Sequence, residues 1–333
     1  MHSILQRHKV PIMARSFSSI RPRPYSGKTY DQIKTLRNHV FPLYTHYYKE
    51  PFYPVEGEKE FIYDSQGKKY IDLIGGISCV NVGYSHPRLT RIYEEEAGRL
   101  MNISSHYIHQ YQGNYAEKLC AELGNGLDTT FFFSSGSEAN DFAVLLAKAY
   151  TKSNTVLALR NGYHGTAGHS YSLTNLLTWN SQLNRSVQLE RLAWPNLYRS
   201  SHSTHEAMLK DAEEQLDSGS NGKVAGLWIE PIMGAGGIVP LPPHYIQGLH
   251  ALVKRHGGLY ISDEVQSGFC RVGRERWGFK WQQVKPDIVV MAKAIANGQP
   301  LSAVVTRKEI ADSLDHPYFT TYAAGPLECR LAG

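Results

Sequence analysis

The chain has 333 residues, 42% of them hydrophobic, with 35 basic and 30 acidic side chains. That length supplies a sizeable core and about two domains, and no apolar run reaches the ~18 residues of a membrane span. The formal charge of +5 does not mark a nucleic-acid binder: residues 1–30 carry Arg7, Lys9, Arg15, Arg21, Arg23 and Lys28 with no acid, and the remaining 303 hold 29 basic and 30 acidic residues.

Residues 1–30 also carry Ser3, Ser16, Ser18, Ser19 and Ser26 and have no long apolar stretch. The segment is similar in composition to a mitochondrial transit peptide and implies the mitochondrial matrix; a basic tail on a cytosolic protein is the competing interpretation. Residues 31–78 form an N-terminal segment and flap, in which Glu56 to Asp72 predicts two short strands around the turn Ser65-Gln66-Gly67. A large domain is expected over 79–320, and a divergent tail over 321–333.

Within the large domain, strands and helices alternate. Thr129 to Phe133 predicts a strand, followed by Ser134-Ser-Gly-Ser-Glu-Ala-Asn140 and a helix to about Tyr150. Thr155 to Leu159 predicts a strand ending at Arg160-Asn-Gly-Tyr-His-Gly165, and Val224 to Ile229 another, ending at Glu230-Pro231. A helix over Pro242 to His256 begins with proline in its first turn and stops at Gly257-Gly258. Strands leading to Asp263 and Lys293 follow, then one at Ser302 to Thr306. This order of continuously apolar strands implies an α/β fold with a mostly parallel sheet flanked by helices.

The four cysteines, Cys79, Cys120, Cys270 and Cys329, form no C-x-x-C, so free thiols in a reducing compartment are expected. The histidines include no H-E-x-x-H; His106 and His109 are the nearest pair, and no metal site is expected. Gly234-Ala-Gly236-Gly237 precedes Ile-Val-Pro-Leu-Pro-Pro instead of a helix, so it fails as a dinucleotide fingerprint and predicts a mobile loop.

Asp263 and Lys293 carry the chemistry. Each ends an apolar, β-branched run, which delivers it to the carboxyl edge of a parallel sheet. A buried lysine can lose its proton and attack an aldehyde, while an aspartate can keep a pyridine nitrogen protonated; pyridoxal 5'-phosphate (PLP) needs both. Ser134-Ser-Gly136-Ser137 opens a helix and offers amides, the Ser137 hydroxyl and a helix dipole to a phosphate, although serine there, with Glu138 or Asn140, also suits simple capping. Tyr163 offers a flat face for ring stacking, or is an ordinary core tyrosine. Val265 suits the opposite ring face and Gln266 the ring's phenolic oxygen. Glu230 is a second carboxylate at a strand end, where burial demands a partner, and is a further candidate for contact with the cofactor.

The segments Ser135-Gly-Ser-Glu-Ala-Asn140, Asp263-Glu-Val-Gln-Ser-Gly-Phe269, Trp277-Gly-Phe279, Pro286-Asp-Ile288 and Met291-Ala-Lys-Ala-Ile-Ala-Asn-Gly298 resemble the class III PLP-dependent aminotransferases, in order, across roughly residues 35–322. Within that class the chain is most similar to the mitochondrial branch acting on alanine and glyoxylate. The resemblance implies PLP fold type I, a homodimer, and small amino acid and oxo acid substrates exchanging an amino group by a ping-pong mechanism. It implies covalent attachment of the cofactor at Lys293, phosphate contacts from Gly136 and Ser137, and ring contacts from Tyr163, Asp263, Val265 and Gln266. Thr321 aligns with a threonine that reaches the phosphate held by a partner subunit.

Some positions depart from the class. Gly165-Thr166-Ala167 stands where ornithine and acetylornithine enzymes carry an arginine, and Cys270 and Ala296 replace usual glycines. The small domain that follows the threonine motif is expected to be missing, with the arginine that grips the substrate carboxylate, and Arg330 is not expected to replace it. The alternatives are a PLP-dependent lyase acting on a phosphoamine and a catalytically silent PLP-fold protein.

Overall fold

The computed structural model describes residues 25–40, 48–179, 186–219, 223–322 and 324–333. Most of the basic leader expected at 1–30 lies outside the described residues. The chain divides into two compact units, Met1–Leu73 and Ile74–Gly333.

In the first unit, helix α1 (Tyr30–Leu36) starts at a capping box, in which the Thr29 hydroxyl accepts from the Gln32 amide and the Gln32 side chain from the Thr29 amide. Strands β1 (Pro54–Glu58), β2 (Phe61–Asp64) and β3 (Lys69–Ile71) form an antiparallel meander. The expected turn at Ser65-Gln66-Gly67 joins β2 to β3, with Gly67 at φ 80° and the Asp64 carboxylate accepting from the Gln66 and Lys68 amides at 2.9 Å each. Two strands were expected from sequence; the third, β1, begins ahead of the predicted segment and pairs with β2.

The second unit is built on a seven-stranded sheet. Its elements are α2 (Pro87–Ala97), α3 (Gln110–Leu123), β4 (Thr129–Phe133), α4 (Gly136–Thr151), β5 (Thr155–Leu159), α5 (Gly168–Leu173), β6 (Gln188–Leu192), α6 (His205–Gly219), β7 (Gly226–Ile229), β8 (Ile232–Met233), β9 (Val239–Pro240), α7 (Pro243–Arg255), β10 (Leu259–Asp263), α8 (Gly278–Gln282), β11 (Ile288–Met291), β12 (Ser302–Thr306), α9 (Lys308–Ala311) and α10 (Pro326–Ala332). The strand order is β4-β12-β11-β10-β7-β5-β6. Strand β12 alone runs antiparallel to its neighbours β4 and β11, so the sheet is mostly parallel.

Alternate residues of each strand enter different cores. Leu157, Leu227, Ile229, Tyr260, Val289 and Met291 join the side packed by α3, α6 and α7; Val156, Ala158, Trp228, Ile261 and Val290 join the side packed by α4. Both faces are covered, which is why these strands are continuously apolar. The parallel strands β4, β5, β7, β10 and β11 all end at one edge, bringing Ser134, the 160–165 segment, Glu230, Asp263 and Lys293 together.

Candidate active site

A cavity of about 380 Å³ opens at that edge, and Gly136, Ser137, Tyr163, Glu230, Asp263, Val265, Gln266 and Lys293 all line it. Thr321 is exposed and lies outside its lining.

Asp263 is 3% exposed, a costly place for a charge unless it is well partnered. Its Oδ2 accepts from Asn140 Nδ2 at 2.9 Å and lies 2.8 Å from His164 Nδ1, while Oδ1 accepts from the Val265 amide at 3.1 Å. Burial opposes the charged form of His164, yet the hydrogen bond to Asp263 and the charges of Asp263 and Glu230 hold its pKa above the usual value. Asn140 also donates to the Gly136 carbonyl at 3.2 Å, tying the start of α4 to Asp263. Asn140 therefore bridges helix and sheet, and the capping role considered for it falls to Ser135, whose hydroxyl accepts from the Glu138 amide at 3.2 Å.

Lys293 follows β11 with φ 51°, in the left-handed region. Its Nζ donates to Gln266 Oε1 at 3.2 Å. Burial pushes the ammonium pKa down, nearby Asp263, Glu230 and Cys79 pull it back up, and Arg271 adds to the lowering. A lysine held this way is readier than a solvated one to lose its proton.

The rest of the cavity is set by close backbone approach. At Gly136 a Cβ would lie 3.1 and 3.2 Å from the Val265 methyls, so glycine lets α4 begin against the cavity wall. The Ser137 hydroxyl accepts from the Thr166 amide at 3.1 Å and keeps its own proton free to donate. Glu230 is buried; Oε1 accepts from the Tyr163 amide at 2.9 Å and Oε2 from the Gly234 amide at 3.1 Å. Burial pushes this carboxyl up to about 7, with Asp263 adding and His164 and the two amides opposing. The segment expected to be a mobile loop is the turn of a short hairpin, β8 against β9, because Gly234 is anchored on Glu230 and its carbonyl accepts from the Gly237 and Ile238 amides at 3.2 and 3.1 Å.

His164 and Cys79 are cavity residues that sequence reasoning did not place there, and Asn140, considered only as a capping residue, joins them. For His164 a signal was present, since it directly follows Tyr163 in a segment already placed at a strand end. Cys79 follows a turn in which Gly75, Gly76, Ile77 and Ser78 all have φ between 55° and 63°, a left-handed run that no local pattern announces.

The sequence pattern of the class III aminotransferase family matches residues 44–333. A mitochondrial alanine–glyoxylate aminotransferase 2 of Homo sapiens is 32% identical over 336 residues, covering 93% of this chain and 65% of the relative. A mitochondrial alanine–glyoxylate aminotransferase 2 homolog of Arabidopsis thaliana is 38% identical over 309 residues, covering 92% of this chain and 64% of the relative. The chain thus spans a little under two thirds of the length of these relatives. Among solved structures, a PLP-bound amine transaminase from an uncultivated Pseudomonas species superposes with a TM-score of 0.80 at 27% identity, covering 88% of this chain and 72% of the other.

The cavity fits PLP on its own chemistry. It offers a lysine with a lowered pKa, a buried carboxylate already held by donors from two sides, and a helix start with no side chain in the way at Gly136. With the family pattern matched from residue 44 to residue 333 and relatives above 30% identity across most of its length, the chain belongs to the class III aminotransferases, whose cofactor is pyridoxal phosphate.

Proposed function

We propose that this chain carries the cofactor site of a transaminase that moves an amino group from a small amino acid such as alanine to an oxo acid such as glyoxylate. The observation that carries the proposal is the pairing, at one sheet edge, of a Lys293 amine with lowered pKa and a buried, donor-held Asp263. The choice of alanine and glyoxylate is supported by the names of the relatives, as is a mitochondrial location. A homodimer in which Thr321 serves the partner's site is part of the same proposal.

Pyridoxal phosphate, when bound, supplies an aldehyde that takes up the amino group and a ring that accepts the electron pair left at the substrate's α-carbon. Lys293 Nζ is the base that removes the α-proton and returns it on the far side of the exchange; its lowered pKa raises the fraction free to do so near neutral pH. Asp263 holds a proton at the ring nitrogen, and Asn140 and His164 hold Asp263. Gly136 and Ser137 bind the phosphate at the positive end of α4. Tyr163 and Val265 enclose the ring, and Gln266 orients Lys293 Nζ from 3.2 Å.

Borohydride reduction followed by peptide mapping tests the assignment: the cofactor is expected on Lys293, and Lys293→Ala is expected to yield no modified peptide. Pyruvate and glycine should appear from alanine and glyoxylate. Ammonia release from a phosphoamine in place of amino transfer would sink the proposed reaction.

A further inference from the structure

Glu230 stands among the cavity residues, but its oxygens are engaged elsewhere. Oε1 accepts from the Tyr163 amide at 2.9 Å, and Oε2 accepts from the Gly234 amide at 3.1 Å. These amides belong to two different segments. Tyr163 follows β5 and presents the ring-stacking face. Gly234 begins the β8–β9 turn and backs directly onto Gln266: a Cβ at Gly234 would fall 1.9 Å from Gln266 Oε1, the atom that accepts from Lys293 Nζ. One buried carboxylate thus sets the backbone under Tyr163 and the backbone behind the partner of Lys293.

We propose that Glu230 is a positioning residue, a two-armed clamp on the Tyr163 and Gly234 amides, and that taking up a proton releases its Gly234 arm and loosens the Gln266 wall. A carboxylate presents two acceptor oxygens to two N–H donors. Once protonated, it keeps one good acceptor and turns the other oxygen into a donor, which faces an amide hydrogen. The longer contact, to Gly234, is the one expected to yield.

The groups facing Glu230 are His164 and Tyr163 from the segment after β5, Asp263 from the end of β10, and Lys293 from the segment after β11. His164 favours the ionised carboxylate, Asp263 disfavours it, and burial outweighs both, bringing the transition to about 7, within reach of ordinary conditions. Glutamine in this place carries one acceptor and one donor at every pH, so Glu230→Gln imitates the protonated clamp permanently.

The test needs no cofactor in its first arm. Exchange of the Tyr163 and Gly234 amides is followed in the apo protein from pH 5.5 to 8.5, corrected for the intrinsic rate. The expected result is a Gly234 amide roughly tenfold less protected at the acid end, with Tyr163 changing little, the scale of one hydrogen bond to a charged group. In Glu230→Gln the Gly234 amide should be poorly protected throughout and its pH dependence gone. Equal, pH-independent protection of both amides in the wild type overturns the proposal, and this result stands alone if the variant does not fold. The second arm, PLP affinity across the same pH range, rests on the proposed function; it should weaken towards acid in both proteins, because Lys293 titrates in each, and more steeply in the wild type than in Glu230→Gln. Absence of PLP binding at every pH would count against the proposed function and leave the amide result to judge the clamp.

Discussion

Asp263 and Lys293 are the two residues whose chemistry is legible from sequence, because each marks the end of a strand written in consecutive apolar residues. What holds Asp263 in place is not legible. His164 and Asn140 reach the same oxygen from positions 99 and 123 residues away in the chain, and neither separation leaves a local trace. Asp263→Asn tests the charge with the shape preserved: the donors from His164 and Asn140 would meet a neutral amide in place of a carboxylate. Single-turnover absorbance with alanine should show the amino-transfer step slowed roughly 100-fold or more, the scale on which a positioned acid or base contributes. A wild-type rate in this variant would remove Asp263 from the chemistry.

At the scale of elements, Glu264 shows how a strand end organises its surroundings. It is fully buried beside Asp263, and its side chain turns away from the cavity. Oε1 accepts from the Ser262 hydroxyl at 3.1 Å and the Phe279 amide at 2.8 Å; Oε2 accepts from the Ser267 hydroxyl at 2.7 Å and the Gly278 amide at 2.9 Å. The start of α8 is thereby pinned to the end of β10. Glu264→Ala leaves the Gly278 and Phe279 amides buried without acceptors and should lower stability by about 3 kcal/mol, measured as a shift in urea midpoint. An unchanged midpoint would mean that α8 is held by packing alone. Strands β4, β5, β7, β10, β11 and β12 and helices α4 and α7 were readable because their periodicities are local, whereas β6 and the long helices α2, α3 and α6 were not singled out. The β8–β9 hairpin was not readable: each strand has only two residues, too few for an alternating pattern to show, and its turn is held by the Gly234 amide on the Glu230 carboxylate and by the Gly237 and Ile238 amides on the Gly234 carbonyl.

For the whole molecule, several buried groups bind protons more tightly in the folded chain than their ordinary values allow. Glu230 is raised from 4.5 to about 7, Glu264 is raised from 4.5, and His164 is raised from 6.5. Each such group stabilises the fold relatively most below its unfolded pKa, and that contribution is lost as pH rises through the folded value. Lys293, lowered from 10.5, works in the opposite sense: its penalty is relieved as pH rises towards 10.5. Apo-protein stability is therefore expected to fall as pH rises from 4.5 towards 7, with Glu230 contributing on the order of 3 kcal/mol across that window. Glu230→Gln should flatten this part of the profile. A denaturant midpoint that rises over the same range would contradict the assignment of Glu230 as a buried, proton-retaining carboxyl.

Sequence by itself determined six of the seven sheet strands, helices α4 and α7, the mostly parallel sheet, and the delivery of Asp263, Lys293, Tyr163 and Glu230 to strand ends, since apolar periodicity and glycine or proline punctuation are properties of neighbouring residues. The tertiary structure alone decided that Glu230 spends its oxygens on two backbone amides, that Asn140 serves Asp263 instead of capping its helix, and that a left-handed turn brings Cys79 into the cavity. Those outcomes depend on which groups burial leaves without water, and a buried donor or acceptor takes whatever partner the packed chain brings within about 3 Å, however distant in sequence.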